Sequence, residues 1–138
     1  MQLEIKINLI LHATEDEKKV LEGLENIFQI KQKDFQIEQV PGHFNNPILL
    51  ISSKLKKRNA EKFLRQLCGN LNKDDFADVY ENVEEHVTSG GLSLRLSKQE
   101  MVSGILRISR EDAIKINIST PVYVKNETKK IYQNLLKI

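Results

Sequence analysis

Three histidines are the first residues to test for catalysis or metal binding, because imidazole is both a metal ligand and an acid–base group near neutral pH. His12, His43 and His86 lie far apart in the chain, and none has the His or carboxylate spacing of a zinc site. His43 stands in a loop between two predicted strands, with Asn45 and Asn46 close by. We interpret it either as an acid–base group or as a hydrogen-bonding group in a binding loop. Acid–base catalysis needs a second positioned group, which the sequence does not identify.

The other candidates for covalent or phosphate chemistry favour a structural interpretation. Cys68 lies on the apolar face of a predicted helix, where a thiol packs as a small hydrophobic group rather than reacting as a nucleophile. Ser89-Gly90-Gly91 lacks the glycine spacing of a phosphate-binding loop and any following helix. Phe44 and Tyr123 are the aromatic residues most suited to stacking on a base, although core positions remain an alternative. We therefore predict no enzyme, no metal site and no cofactor.

The basic residues offer a different chemistry, the binding of phosphate, and they occur in blocks. The whole chain carries 21 Lys and Arg against 19 Asp and Glu, a net charge of +2. The range 54–65 holds six cations and one anion, whereas 73–87 holds six anions and one cation. We predict that the basic block contacts phosphates, and the alternative is an ordinary solvated helix face, either alone or paired with the acidic helix. A second basic group follows in Arg95, Lys98, Arg107 and Arg110.

Apolar periodicity indicates the elements that carry these residues. Alternation predicts strands near 3–11 and 92–96. Apolar segments on either side of the turn at 41–46 predict strands near 35–40 and 47–55, and further strand segments are predicted at 105–108 and 114–124. Helical spacing predicts helices near 15–28, 60–68, 72–87 and 126–136, the first of them opened by a capping box from Thr14 to Glu17. The order β-α-β-β-α-α-β-β-β-α favours an α+β fold with an antiparallel or mixed sheet and helices mainly on one face.

Length and composition limit the class of protein. A chain of 138 residues that is 40% hydrophobic and 29% charged suits one folded domain over residues 1–138 and excludes collagen-like and disordered chains. The single cysteine excludes an internal disulfide framework. No apolar run approaches the roughly 18 residues of a membrane span, and the N-terminus lacks a signal-peptide pattern. We expect a cytoplasmic protein with no membrane partner.

Three stretches together resemble one family of small archaeal proteins. They are HATEDE at 12–17, GHFNNPI at 42–48, and LRLSKQ at 94–99 followed by Gly104. Members of that family are described as RNA-binding proteins or predicted exosome subunits, and they are related to an uncharacterised archaeal protein family. The resemblance spans about residues 2–124. It implies a fold like that of a ribosomal protein that binds five-S RNA, and an RNA-associated function without established catalysis.

The resemblance and the charge pattern together predict an RNA-binding face. By resemblance, His43, Asn46, Lys98 and Gln99 are the motif positions to examine. We expect cations to contact phosphates, and His43, Asn46 and Gln99 to hydrogen-bond unpaired bases or 2′-hydroxyls. The predicted RNA-binding residues are His43, Asn46, Lys54, Lys56, Lys57, Arg58, Lys62, Arg95, Lys98, Gln99 and Arg107.

Three alternatives stay open. Lys98 and Gln99 also suit the capping of a turn between strands. The opposite charges also suit an assembly subunit that docks protein partners or a second copy without touching RNA, whereas an RNA-binding module would be accessory to an RNA-processing complex. An RNA-processing enzyme that uses His43 is the third alternative.

Overall fold

The alternating side chains of the first strand divide the sheet into a buried face and an open face. The structure is a computed structural model that describes residues 2–42, 44, 46–111 and 113–137. In β1 (Glu4–Leu11), Ile5 and Ile7 are buried, whereas Lys6 and Asn8 are exposed. This period of two confirms the strand predicted at the start of the chain.

The described residues form one antiparallel sheet of six strands. The strands after β1 are β2 (Gln36–Pro41), β3 (Pro47–Lys56), β4 (Val87–Thr88), β5 (Gly91–Ser97) and β6 (Ala113–Ser119). Their spatial order is β2-β3-β1-β6-β5-β4, so β1 lies inside the sheet between β3 and β6. Every strand pair is antiparallel, and β2 forms one edge.

Six α-helices of the described chain cover the buried face. They are α1 (Glu17–Phe28), α2 (Lys57–Asn70), α3 (Lys73–Glu81), α4 (Val83–His86), α5 (Lys98–Val102) and α6 (Thr128–Leu136). Their buried apolar residues belong to the same cluster as the inward apolar residues of the strands. The predicted α+β class, with helices on one face of the sheet, is confirmed. None of these helices is both long and apolar enough to cross a membrane.

The first helix begins later than the capping-box pattern predicts. Its N-cap is Asp16, whose side chain accepts a hydrogen bond from the Lys19 amide at 3.2 Å. The prediction of a cap at Thr14 is therefore wrong. Glu15 lies outside the helix, and its carboxylate accepts a hydrogen bond from the His12 amide at 3.0 Å.

Two other stretches differ from the predicted elements. The range 72–87 forms two helices rather than one, because the backbone leaves helical geometry at Asn82. The range 105–108 is not a strand and contributes only two isolated bridges, Leu71 to Leu106 and Leu96 to Ile108. Its backbone bonds are divided among several elements, since the Leu106 carbonyl accepts from Asn72 and the Ile108 amide donates to Asp75. The last strand also ends at Ser119, earlier than predicted.

Candidate nucleic-acid interface

The open face of the sheet is basic and, in the described chain, lies outside the helical layer. Its cations, all exposed and all at alternate strand positions, are Lys6, Lys54, Lys56, Arg95 and Lys115. Glu4 and Glu38 are the carboxylates at the same set of alternate positions. The near-neutral total charge therefore conceals a face on which positive charge predominates.

One row of paired residues crosses five strands of this face. Arg95 pairs with Lys115, Lys115 with Asn8, Asn8 with Ser52, and Ser52 with Gln36. Residues directly opposite each other in an antiparallel sheet project from the same face. With neighbouring strands about 4.8 Å apart, the row is about 19 Å long. It presents two cations at one end and amide or hydroxyl groups along the rest.

Two pairs of like charge lie directly opposite each other on the open face. They are Lys6 with Lys54, and Arg95 with Lys115. Like charges in this arrangement destabilise a sheet. The Glu4 carboxylate, 3.3 Å from the Lys54 ammonium, partly offsets the first pair. In the described part of the chain no ion pair involves Arg95 or Lys115. The positive charge of this second pair is therefore available to an anion.

The junction between β3 and α2 brings more cations to one end of the open face. Lys56 is the last residue of β3, and Lys57 turns the chain into α2 with a left-handed φ of 55°. The Lys57 amide donates to the Leu3 carbonyl at 3.3 Å, which fixes this junction against the beginning of the sheet. Lys57 and Arg58 lie in the first turn of α2, where the helix dipole disfavours cations. Lys62 is exposed further along the helix.

The acidic helix does not neutralise the basic one. No ion pair joins the cations of α2 to the anions of α3 within residues 2–42, 44, 46–111 and 113–137. The two charged helices therefore do not pair with each other, whereas an ordinary solvated face stays an alternative for the basic helix. Both charged faces point to solvent, since Lys57, Arg58, Asp74 and Asp78 are all exposed.

Lys98 is buried, which overturns the expectation that it contacts phosphate. Only 3% of its side chain is exposed. Its ammonium donates to the Ile10 carbonyl and to the Glu15 carboxylate, the latter at 2.9 Å. The register between β1 and β6 extends only to Asn8, so Lys98 supplies a hydrogen bond to β1 beyond that ladder. Lys98 and Glu15 belong to two of the three stretches that carry the family resemblance, 94–99 and 12–17. Their contact connects these stretches and positions the end of β1.

Gln99 and Arg107 lie near Lys98 in the sequence but have different environments. Gln99 is exposed on α5. The sequence predicts a turn after the strand at 92–96 and does not predict this helix. The Arg107 guanidinium lies 3.3 Å from the Asp75 carboxylate. The hydrogen bond and charge of Asp75 raise the pKa of Arg107 further above its usual value. Arg107 therefore connects the range 105–108 to α3. It does not belong to the set of cations on the open face.

The loop that carries His43 joins β2 to β3. His43 and Asn45 lie outside the described residues. Asn46 is exposed, and its carbonyl accepts a hydrogen bond from the Gly42 amide at 2.8 Å, which closes the hairpin. Phe44 in this loop and Tyr123 elsewhere are 93% and 89% exposed, so both are surface residues rather than core.

Comparison with known proteins identifies the family of this chain. The family model described as RNA binding matches residues 4–120. The chain belongs to the RNA binding family. A Pyrococcus abyssi protein named as an RNA-binding protein is 39% identical over 126 residues, which cover 86% of this chain and 82% of that protein.

Solved structures of the family designated DUF54 share this fold. A protein from Methanothermobacter thermautotrophicus has a TM-score of 0.76 and 27% identity, with 99% of each chain covered. A protein from Archaeoglobus fulgidus has a TM-score of 0.79 and 21% identity, with 98% of this chain and 99% of that chain covered. The RNA binding family member described here thus shares its whole fold with these proteins.

Sequence reasoning missed several open-face residues of this RNA binding family member. Lys6, Asn8, Gln36 and Lys115 were not identified as site residues, although each occupies an outward strand position. The polar half of the strand alternation carries the signal that would have identified them. Among the described residues, no cluster of His, Cys, Asp or Glu has the composition and proximity of a metal site.

Proposed function

We propose that this chain binds RNA through the open face of its sheet and does so without catalysis. The observation that carries the proposal is the pair Arg95 and Lys115, two cations held opposite each other on an exposed face. The family name and the name of the Pyrococcus relative support RNA as the polyanion.

Phosphate binding would offset the cost of this pair to the fold. A phosphate between two cations replaces their repulsion with two attractive interactions. Each phosphate neutralised also releases condensed counterions, which strengthens binding at low salt. Lys6, Lys54 and Lys56 extend the positive surface from this pair toward Lys57 at the start of α2. We expect the RNA backbone to follow this path.

The polar residues of the row supply contacts of another kind. Asn8 and Gln36 each carry an amide that donates and accepts hydrogen bonds, and Ser52 lies between them in the register. Such groups recognise base edges or 2′-hydroxyls. Asn46 and Gln99, both exposed, remain predicted contacts outside the row, and His43 remains a prediction from the resemblance.

Charge reversal on the open face tests the proposal. We expect Arg95→Glu with Lys115→Glu to weaken the binding of a fluorescently labelled single-stranded RNA by about a hundredfold at low salt. The matched control is Lys129→Glu with Lys130→Glu, two exposed residues of α6 that undergo the same change in net charge. Equal weakening by both double variants, measured by fluorescence anisotropy, would show that total charge rather than this face governs binding.

An accessory role in RNA processing or decay, within an exosome-like complex in the cytoplasm, is the finer form of this proposal. It rests on the resemblance of the three sequence stretches. Isolation of the chain from archaeal cells with an RNA-degrading complex, dependent on intact RNA contacts, would support it. Isolation of the chain free of such a complex would contradict it.

A second candidate function is assembly with a protein partner or a second copy. The absence of ion pairs between α2 and α3 in the described chain favours it, because both charged faces remain available for docking. Lys57→Glu with Arg58→Glu would then dissociate an oligomer while leaving RNA affinity unchanged. Light scattering during gel filtration measures the first effect, and anisotropy measures the second.

A further inference from the structure

A groove with an apolar part lies at one end of the open face. Its volume is about 690 Å³, within the range of about 300–1,000 Å³ that is usual for small-molecule sites. Ile10 and Leu50 line it from the open face, and Ile10 is 42% exposed. Ile10 and Leu50 lie directly opposite each other on β1 and β3. Large aliphatic side chains this exposed form a contact surface for an apolar group.

The polar residues around the groove are distributed unequally. Arg95 and Lys115 line the side that belongs to β5 and β6, whereas Glu38 lines the side that belongs to β2. Asn8 and Ser52 lie between them in the register. A ligand with an anionic end would place that end at Arg95 and Lys115, because the Glu38 carboxylate repels it from the other side. An uncharged, flat part bearing hydrogen-bonding groups would then lie over Ile10 and Leu50.

We infer that this groove binds an unpaired nucleotide of RNA, with its base against Ile10 and Leu50 and its phosphate at Arg95 and Lys115. The inference rests on the proposed RNA binding and adds that the bound RNA is single-stranded where it enters the groove. A base combines an apolar face with polar edges, as the groove requires, whereas bases within a duplex are stacked and inaccessible. The Glu38 carboxylate accepts hydrogen bonds from amino groups on a base edge.

Methyl NMR on the full chain tests whether a base enters the groove. The isoleucine methyl groups are labelled and titrated with a short single-stranded oligoribonucleotide, and separately with a blunt RNA duplex. We expect ring currents to shift the Ile10 signals with the single strand but not with the duplex. Ile105, which is 50% exposed and absent from the groove lining, provides the internal control and should not shift.

A pair of substitutions separates this inference from RNA binding in general. Ile10→Ser with Leu50→Ser removes the apolar contact, and we expect about tenfold weaker binding of the single strand with unchanged binding of the duplex. Ile105→Ser should change neither affinity. Equal loss for both RNA forms, or bound single-stranded RNA that leaves Ile10 unshifted, would overturn the inference while leaving backbone binding intact. Ile10 shifts that depend on protein concentration without RNA would assign the groove to a second copy instead. No binding of either RNA at low salt would overturn the proposed function itself.

Discussion

Arg95 lies directly opposite Lys115 on neighbouring strands, and both side chains are exposed on the face of the sheet that the helices leave open. The same register continues through Asn8, Ser52 and Gln36, so charge and hydrogen-bonding groups form one line across five strands. The fold thus gathers residues from most of the chain into a surface that none of its segments forms alone.

Removing the repulsion between these cations should stabilise the protein while weakening its function. Lys115→Glu converts a repulsive cross-strand pair into an attractive one, so we expect the free energy of unfolding to rise by about 0.5 kcal/mol. Affinity for single-stranded RNA should fall in the same variant. Urea denaturation measures the first effect and anisotropy the second, with Lys130→Glu on α6 as the control. A destabilised Lys115→Glu protein would show that the two cations do not oppose folding.

Loss of Glu15 and loss of Lys98 should lower the free energy of unfolding by different amounts, although the two residues share one buried contact. Glu15→Gln removes the carboxylate beside an ammonium that is 3% exposed, and we expect it to lower the free energy of unfolding by about 2 kcal/mol. Lys98→Met removes the buried charge itself and should cost only about 1 kcal/mol, since the partly exposed Glu15 can be hydrated. Thermal and urea denaturation should reveal this order, and the reverse order would contradict it.

Two glycines should respond oppositely to alanine substitution. Gly91 has a φ of +122°, and an added Cβ would lie 2.3 Å from the Ile118 carbonyl oxygen. Gly91→Ala should therefore destabilise the protein by about 2 kcal/mol or more. Gly69 lies in α2 with open space around the same position, so Gly69→Ala should stabilise it by about 0.5 kcal/mol. Urea denaturation of the two variants side by side provides the check, and changes of the same sign would contradict it.

The strand alternation explains how much of the fold could be predicted from the sequence. The buried positions of β1 and β5 follow from the period of two, and the α+β class follows from the order of the elements. The apolar residues of the range 105–108 also fit that period, although this range is not a strand. In the structure its backbone bonds to α3, β5 and the residue before α3, which no local pattern indicates.

The candidate site is harder to predict, because the sequence does not show whether a basic side chain is buried in an ion pair or exposed on the open face. Lys98 and Arg95 lie three positions apart, yet one is buried and the other is exposed. Burial of Lys98 depends on Glu15, which is 83 positions away in the chain. Likewise, Lys115 becomes a partner of Arg95 only through the strand order.

The thiol of Cys68 should be unreactive in the folded protein. Burial raises its pKa from the usual 9.0 to about 11, so the reactive thiolate should be about a hundredfold scarcer than in an exposed cysteine at mildly alkaline pH. Alkylation should therefore be at least that much slower in the native protein than in urea. The raised folded pKa contributes stability that is complete below about pH 9 and is lost as pH rises through about 11. Equal alkylation rates in the two states would contradict this environment.

The most direct test of RNA binding by the open face is the salt dependence of affinity. Plotted against the logarithm of salt concentration, the logarithm of the binding constant for single-stranded RNA should fall linearly. The neutral double variant Arg95→Gln with Lys115→Gln should reduce the magnitude of that slope by about 1.4, as expected for two lost phosphate contacts. Lys129→Gln with Lys130→Gln should leave the slope unchanged. A slope that is the same in wild type and both double variants would contradict phosphate binding by Arg95 and Lys115.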